Sequence, residues 1–343
     1  MYCKTHEILS HVVPLPKDLG ENFIISASPP CKWIQDHTHY YRIQPKLCGL
    51  ADFFGVSPTT KLRAPQWEHP EYTDCLRYSK ARDMPNRCTS GGQTTVKNFL
   101  KRLEEIQVFD PSVPLRYNQI DYTMYESAVD SAVKYMLFFL GIEAETQRRI
   151  AFRHFGKLTN VTLDCTAFPE DYTRYVFLLS ESKTYNAHLK DGAFAQLVSS
   201  AIAAYQCNNE IRLKLKKATF SYMIFPAMIW IGSVPTFYRI AITRQLSMAV
   251  AEGGFRPTVT TEVAQLELPI PDRWIKYGMW RVKNRETIMT ILENMRDFLP
   301  NDIDHVPSSW RMFKPLPPIP AASSLSGPMA PNMRNTDVTE NSD

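Results

Sequence analysis

Val161-Thr-Leu-Asp164 and, after a short polar turn, Arg174-Tyr-Val-Phe-Leu-Leu-Ser-Glu181-Ser-Lys183 form the stretch on which the fold turns. The apolar run Tyr175 to Leu179 is too short for a helix and rich in aromatic and aliphatic residues, which predicts a buried strand. It ends in Glu181 and Lys183; side chains alternate along a strand, so these two share a face and Ser182 points away. The preceding strand, around Val161 to Ala167, carries Asp164. Pro169, Glu170 and Asp171 between them are turn residues, so a hairpin brings Asp164 beside Glu181 and Lys183.

Two carboxylates brought that close repel, and one stays protonated unless a cation lies between them. A hard divalent cation, Mg²⁺ or Mn²⁺, takes oxygen ligands and keeps several waters. A lysine beside it holds a scissile phosphate or lowers the pKa of an attacking water. These residue types in this order point to metal-assisted phosphodiester hydrolysis. The chain holds a single acid-x-Lys unit, Glu181-Ser-Lys183, and its place at a strand end gives it meaning. The plainer alternative is a strand-end ion pair of Glu181 with Lys183 or Arg174.

The arrangement resembles the D…(D/E)-x-K signature of the PD-(D/E)XK, or restriction-endonuclease-like, nucleases. Gln196, on the following helix, is similar in position to a glutamine of exonuclease-type members. The upstream helix with Glu126 is placed like the first helix of that core. The stretch Tyr125 to Arg244 also resembles uncharacterised fungal members. Two departures stand out: Leu163, not proline, precedes the aspartate, and no tyrosine follows Gln196 by four residues. The resemblance implies an α/β sandwich with a mixed central β-sheet flanked by helices, and metal-dependent cleavage of DNA. It implies Asp164 and Glu181 as metal ligands, with the Ser182 carbonyl completing the coordination. Lys183 would then orient or activate water, Gln196 would position water or phosphate, and Glu126 would stand at the rim as an outer metal ligand. Two rivals are a nuclease fold that has lost its chemistry and binds nucleic acid or protein, and a structural protein with no site.

At 343 residues the chain is long enough for one large domain or two modest ones. Apolar residues at 44% and charged residues at 22% are those of a globular protein, which excludes a disordered or fibrous chain. The net charge of +4 is mild, so any surface for nucleic acid must be local. Seven cysteines, odd in number and without a Cys-x-x-Cys pair, predict free thiols in a reducing compartment, nuclear or cytoplasmic. The N-terminus lacks the apolar core of a signal peptide, and no apolar run approaches ~20 residues, so neither secretion nor a membrane span is expected.

Prolines concentrate before 115 and after 300, which predicts an irregular region over 1–93, a nuclease-like domain over 94–300 and a disordered tail over 301–343. Phe23-Ile-Ile-Ser and Tyr40-Tyr-Arg-Ile read as short strands. Cys3, His6 and His11, or Cys31, His37 and His39, lack finger-like spacing, and buried thiols with surface histidines are the simpler reading. Arg63, Lys80, Arg82 and Arg87 lie among Trp67, Tyr72 and Tyr78, a mixture found in nucleic-acid grooves and in ordinary proline-rich surfaces alike. Helical spacing of Val96, Phe99, Leu100, Leu103 and Ile106 predicts one helix, and Ala128 to Leu140 the buried stripe of another. Glu126 and Asp130 fall on the other side of the latter, one turn apart.

After Lys183, Phe194, Leu197, Val198, Ala201, Ile202 and Tyr205 predict a helical core stripe. Gln196, Ser199, Ser200 and Ala203 form a small polar face that suits close approach of a bound backbone. The run Arg212, Lys214, Lys216 and Lys217 beyond this helix is a candidate phosphate contact. Met223 to Ile231 predicts a central strand and Phe237 to Ile242 its antiparallel return. Thr243 caps a helix that Gly253 ends, Val259 to Leu268 predicts an edge strand, and Asn284 caps a last helix with Ile288, Ile291, Leu292, Met295 and Phe298 inside.

Overall fold

The computed structural model describes residues 33–85, 90–108, 122–168, 176, 178–183, 190–253, 256–268, 278–302 and 304–312. The expected strand at Phe23, the candidate ligands Cys3, His6, His11 and Cys31, the turn at Pro169 to Asp171 and the tail beyond 315 lie outside these residues.

A seven-stranded mixed sheet packed with helices makes this an α/β protein. In chain order the strands are β1 (Ile43–Cys48), β2 (Ala144–His154), β3 (Lys157–Ala167), β4 (Leu178–Lys183), β5 (Tyr222–Ile231), β6 (Val234–Thr243) and β7 (Thr261–Leu266), arranged β1-β7-β6-β5-β4-β3-β2. The helices used below are α1 (Gln35–Tyr40), α2 (Leu50–Phe54), α3 (Asp74–Arg77), α4 (Gly91–Val108), α5 (Tyr122–Phe139), α6 (Lys190–Lys214), α7 (Arg244–Glu252), α8 (Val282–Met295) and α9 (Ser308–Met312). Among the described residues no helix is long and apolar enough to cross a membrane.

β2 and β3 form a long hairpin, Ala144↔Ala167 through His154↔Lys157. Its two turn residues, Phe155 and Gly156, both have positive φ (50° and 71°), the twist that two-residue hairpins favour. Phe-Gly is not a common turn pair, which is why Arg148 to His154 reads in the sequence only as a basic lead-in to the Asp164 strand. The tip is pinned to α7: Phe155 N–H donates to the Val250 carbonyl (3.0 Å) and Gly156 N–H to that of Ala251 (2.6 Å). Thr243 Oγ1 caps α7 by accepting from Leu246 N–H, and Gly253 closes it at φ +69°. A side chain at Gly253 would run into the Phe155 ring, so the α7 cap and the hairpin tip are one joint.

β4 lies antiparallel to β3 and parallel to β5 (Leu179↔Ala227 to Lys183↔Ile231), with α6 as the crossover that a parallel pair requires. The strand ends at Lys183, where the sequence places its two charges. Both faces of β4 are buried, as α5 and α6 pack against it. α6 buries nearly all its circumference, packing on the sheet and against α1 and α7. Ser199, Ser200 and Ala203 are therefore inside, and the face expected to lie against a bound backbone is closed. Asn208 on α6 holds the buried Val176 backbone from both ends: its Oδ1 accepts the Val176 N–H (3.0 Å) and its Nδ2 donates to the Val176 carbonyl (2.9 Å). Asn208→Ala strands both groups in the core, so we expect a loss of about 2–3 kcal/mol, read as a lower urea midpoint with unchanged slope.

Five features differ from expectation. β7 is no edge strand: β1 pairs with it in parallel, Ile43↔Thr261 to Cys48↔Leu266, and takes the edge itself, where Pro45 is tolerated. Residues 33–85 thus belong to the same sheet and core as the rest instead of forming a separate irregular region. At the other end the compact unit runs to Met312, with Trp310 buried and its Nε1 donating to the Phe298 carbonyl (3.0 Å). His37 is not a surface histidine but is buried and stacked on Trp33. Asn284 does not cap α8. It lies inside the first turn and donates from Nδ2 to the Gly278 carbonyl (2.7 Å).

Candidate active site

The ladder between β3 and β4 spans Cys165↔Ser180, Thr166↔Leu179 and Ala167↔Leu178. Continuing that register sets Asp164 across from Glu181. There a side chain replaces the backbone ladder: Ser182 N–H donates to Asp164 Oδ2 at 2.9 Å. The Asp164 carboxylate is thus held against the backbone of Glu181-Ser182-Lys183, and it reaches there because an aspartate is short and the strands part at this point. Glu181 is 7% exposed. Lys183 ends β4 opposite Ile231.

A third carboxylate stands at this place. Asp130 on α5 is 5% exposed and accepts a long hydrogen bond (3.4 Å) from Gln147 Nε2 of β2. Burial, and next the negative charge of Asp164, push its carboxyl up to about 7, with Glu126 adding to the rise. The Gln147 amide and the nearby Ser182 hydroxyl pull the other way. Ser182 Oγ and Asp130 Oδ1 are neighbours without a made bond, since both are buried with no hydrogen-bond partner, as is Ser180 Oγ. The sequence pointed to Glu126 for the α5 acid. Glu126 is half-buried one turn away, and its charge, like that of Asp164, raises the Asp130 carboxyl. The one-turn spacing of the two acids was visible in the sequence.

Gln196 is half-buried near the start of α6, which packs on β4, and its carbonyl accepts from Ser199 Oγ (2.8 Å). The basic run beyond α6 is largely spoken for. Arg212 has a side chain only 9% exposed, donates from Nε to the Ala218 carbonyl (2.5 Å), lies over the Phe220 ring (4.0 Å) and approaches Asp304 (3.8 Å). It closes the helix end and does not project as a surface cation. Lys217 pairs with Asp304, and Lys214 with Glu210 (2.9 Å). Lys216 is exposed.

The acids here offer oxygen, the donor that Mg²⁺ and Mn²⁺ prefer; burial is the larger cause of the upward push on Asp130, and the Asp164 charge adds a part that a cation would relieve. No family model matches this chain, and no curated protein matches it.

Proposed function

We propose that the chain is a metal-dependent nuclease that hydrolyses phosphodiester bonds of DNA, on a restriction-endonuclease-like core formed by α5, β2, β3, β4, α6 and β5. The observation that carries this reading is the Asp164 carboxylate seated on the Ser182 N–H of the chain's single acid-x-Lys unit. The order of elements supports it: a helix, three successive antiparallel strands, a crossover helix and a strand parallel to the third. Asp164 and Glu181 would hold the cation, with Asp130 joining Glu126 as an acid contributed by α5. A divalent cation bound there supplies charge neutralisation at the scissile phosphate and a water of lowered pKa. Lys183 would place a positive charge where negative charge builds up, and Gln196 would position water or phosphate.

A second reading, a binding module on the same fold without chemistry, is favoured by one observation. Among the described residues no group of three or more His, Cys, Asp or Glu is arranged to hold a metal ion. Mg²⁺, however, usually takes only one or two carboxylates and keeps its waters, so the Asp164–Glu181 pair suffices for the first reading. The two separate in one assay. Plasmid and linear duplex DNA should be cut with Mg²⁺ or Mn²⁺ and left whole in EDTA, and Glu181→Gln should need more metal for half-maximal rate. DNA that stays intact at every metal concentration leaves the binding module.

A further inference from the structure

We infer that the open face of the β2–β3 hairpin is the track for the nucleic-acid backbone, with Arg149 and Arg153 as its phosphate contacts. This rests on the nuclease reading and names where its substrate lies. Along β3, Leu158, Asn160 and Thr162 are exposed while Val161, Leu163 and Cys165 are buried, so one side of the hairpin is uncovered. Opposite them on β2 stand Arg153, Ala151 and Arg149. Alternation puts Asp164 on that same face, the next position after Thr162. The uncovered face therefore leads from the hairpin tip to the carboxylates.

Its chemistry suits phosphate. Arg149 and Arg153 are exposed, and among the described residues neither has a carboxylate partner, in contrast to Arg148, which lies on the Phe168 ring (3.9 Å), and to Lys214 and Lys217 with their ion pairs. No acid occurs in the facing segments 149–153 and 158–162. Thr162 and Asn160 add the short polar groups that bond phosphate and sugar. At about 3.3 Å per residue, Arg149 and Arg153 lie about 13 Å apart, some four steps of a duplex strand at 3.4 Å each. Arg149 pairs with Thr162, about 7 Å along β3 from Asp164.

The face is also rigid, which lowers the ordering cost of binding. The tip is bonded to α7, and Gln206 on α6 takes both backbone groups of Arg153: Oε1 accepts its N–H (2.8 Å) and Nε2 donates to its carbonyl (3.2 Å). That clamp occupies the β2 edge at Arg153, so an added peptide strand is a poorer occupant than a phosphodiester chain lying across the face.

The test is binding without cleavage. A fluorescent duplex of about 20 base pairs is titrated in EDTA at several salt concentrations. Each phosphate contact contributes about 0.9 to the slope of log K against log salt. Arg149→Ala/Arg153→Ala should lower that slope by about 1.8. Arg149→Lys/Arg153→Lys should keep it, and so should the control Lys101→Ala/Lys283→Ala at exposed lysines of α4 and α8. An unchanged slope in the alanine pair overturns the proposal, as does an equal fall in the lysine pair, which would report damage to the hairpin and not lost charge. Wild type that binds no DNA overturns it too. In each case Mg²⁺-dependent cleavage still judges the nuclease reading by itself, because the binding assay contains no metal.

Discussion

Asp164→Asn is expected to remove Mg²⁺-dependent cleavage and leave the protein folded. The asparagine Oδ1 can still accept the Ser182 N–H that Asp164 now holds at 2.9 Å, so the junction of β3 and β4 keeps its bond. What disappears is the negative charge that would hold the cation. Removing one preorganised electrostatic group typically costs roughly 10²–10³ in rate, and losing a metal ligand should cost at least that. Lys183→Ala should fall in the same range while binding metal normally, since its charge would act on the phosphate. Rates and thermal melting measured together on the two variants decide the matter. Full cleavage by Asp164→Asn would end the nuclease reading. Full cleavage by Lys183→Ala with a large melting loss would instead make Glu181 and Lys183 a structural ion pair, because breaking a buried pair strands its partner.

Asp130→Asn is expected to stabilise the metal-free protein at pH 8 and to do little at pH 4. Burial and the Asp164 charge raise the Asp130 carboxyl from 3.8 to about 7 in the folded state. Between those values the folded protein binds a proton that the unfolded chain has released, so stability falls as pH rises through this window and levels off above about 7. Some three pH units at 1.36 kcal/mol each make the charged carboxylate cost about 4 kcal/mol at pH 8, as an order of magnitude. Urea unfolding of wild type and variant in EDTA across pH 4–8 measures it. A gain of equal size at both ends would mean that packing, and not charge, is what the substitution changes. Asp164→Asn, by deleting the neighbouring charge, should lower the Asp130 titration in part, while burial, the larger cause, keeps it above ordinary carboxylates.

Much of the sheet could be read without coordinates. The apolar run Met223 to Ile231 became β5, buried on both faces at the centre, and the Thr243 cap and Gly253 stop bound α7 as their chemistry demands. The stripes of α4, α5 and α8 are inside as their periodicity predicts. These are local signals: spacing, caps and turn residues act within one or two turns of chain. The hairpin of β2 and β3 was only half legible, because its Phe155-Gly156 turn owes its backbone to contacts with α7, far along the chain.

For the site, residue types and strand order by themselves determined the pairing of Asp164 with the Glu181-Ser-Lys183 unit, since a hairpin between two strands leaves few registers that bury the apolar face. Only the tertiary structure decided the rest. The packing of α5 buries Asp130 near the Asp164 charge, the docking of residue 304 against the end of α6 withdraws Arg212 and Lys217, and β1 joins the sheet by pairing with β7, more than 200 residues away. Each depends on which surfaces meet at long range. A charged residue reads the same in sequence whether it will face solvent, a partner carboxylate or the core, and the packing of elements distant in the chain settles which.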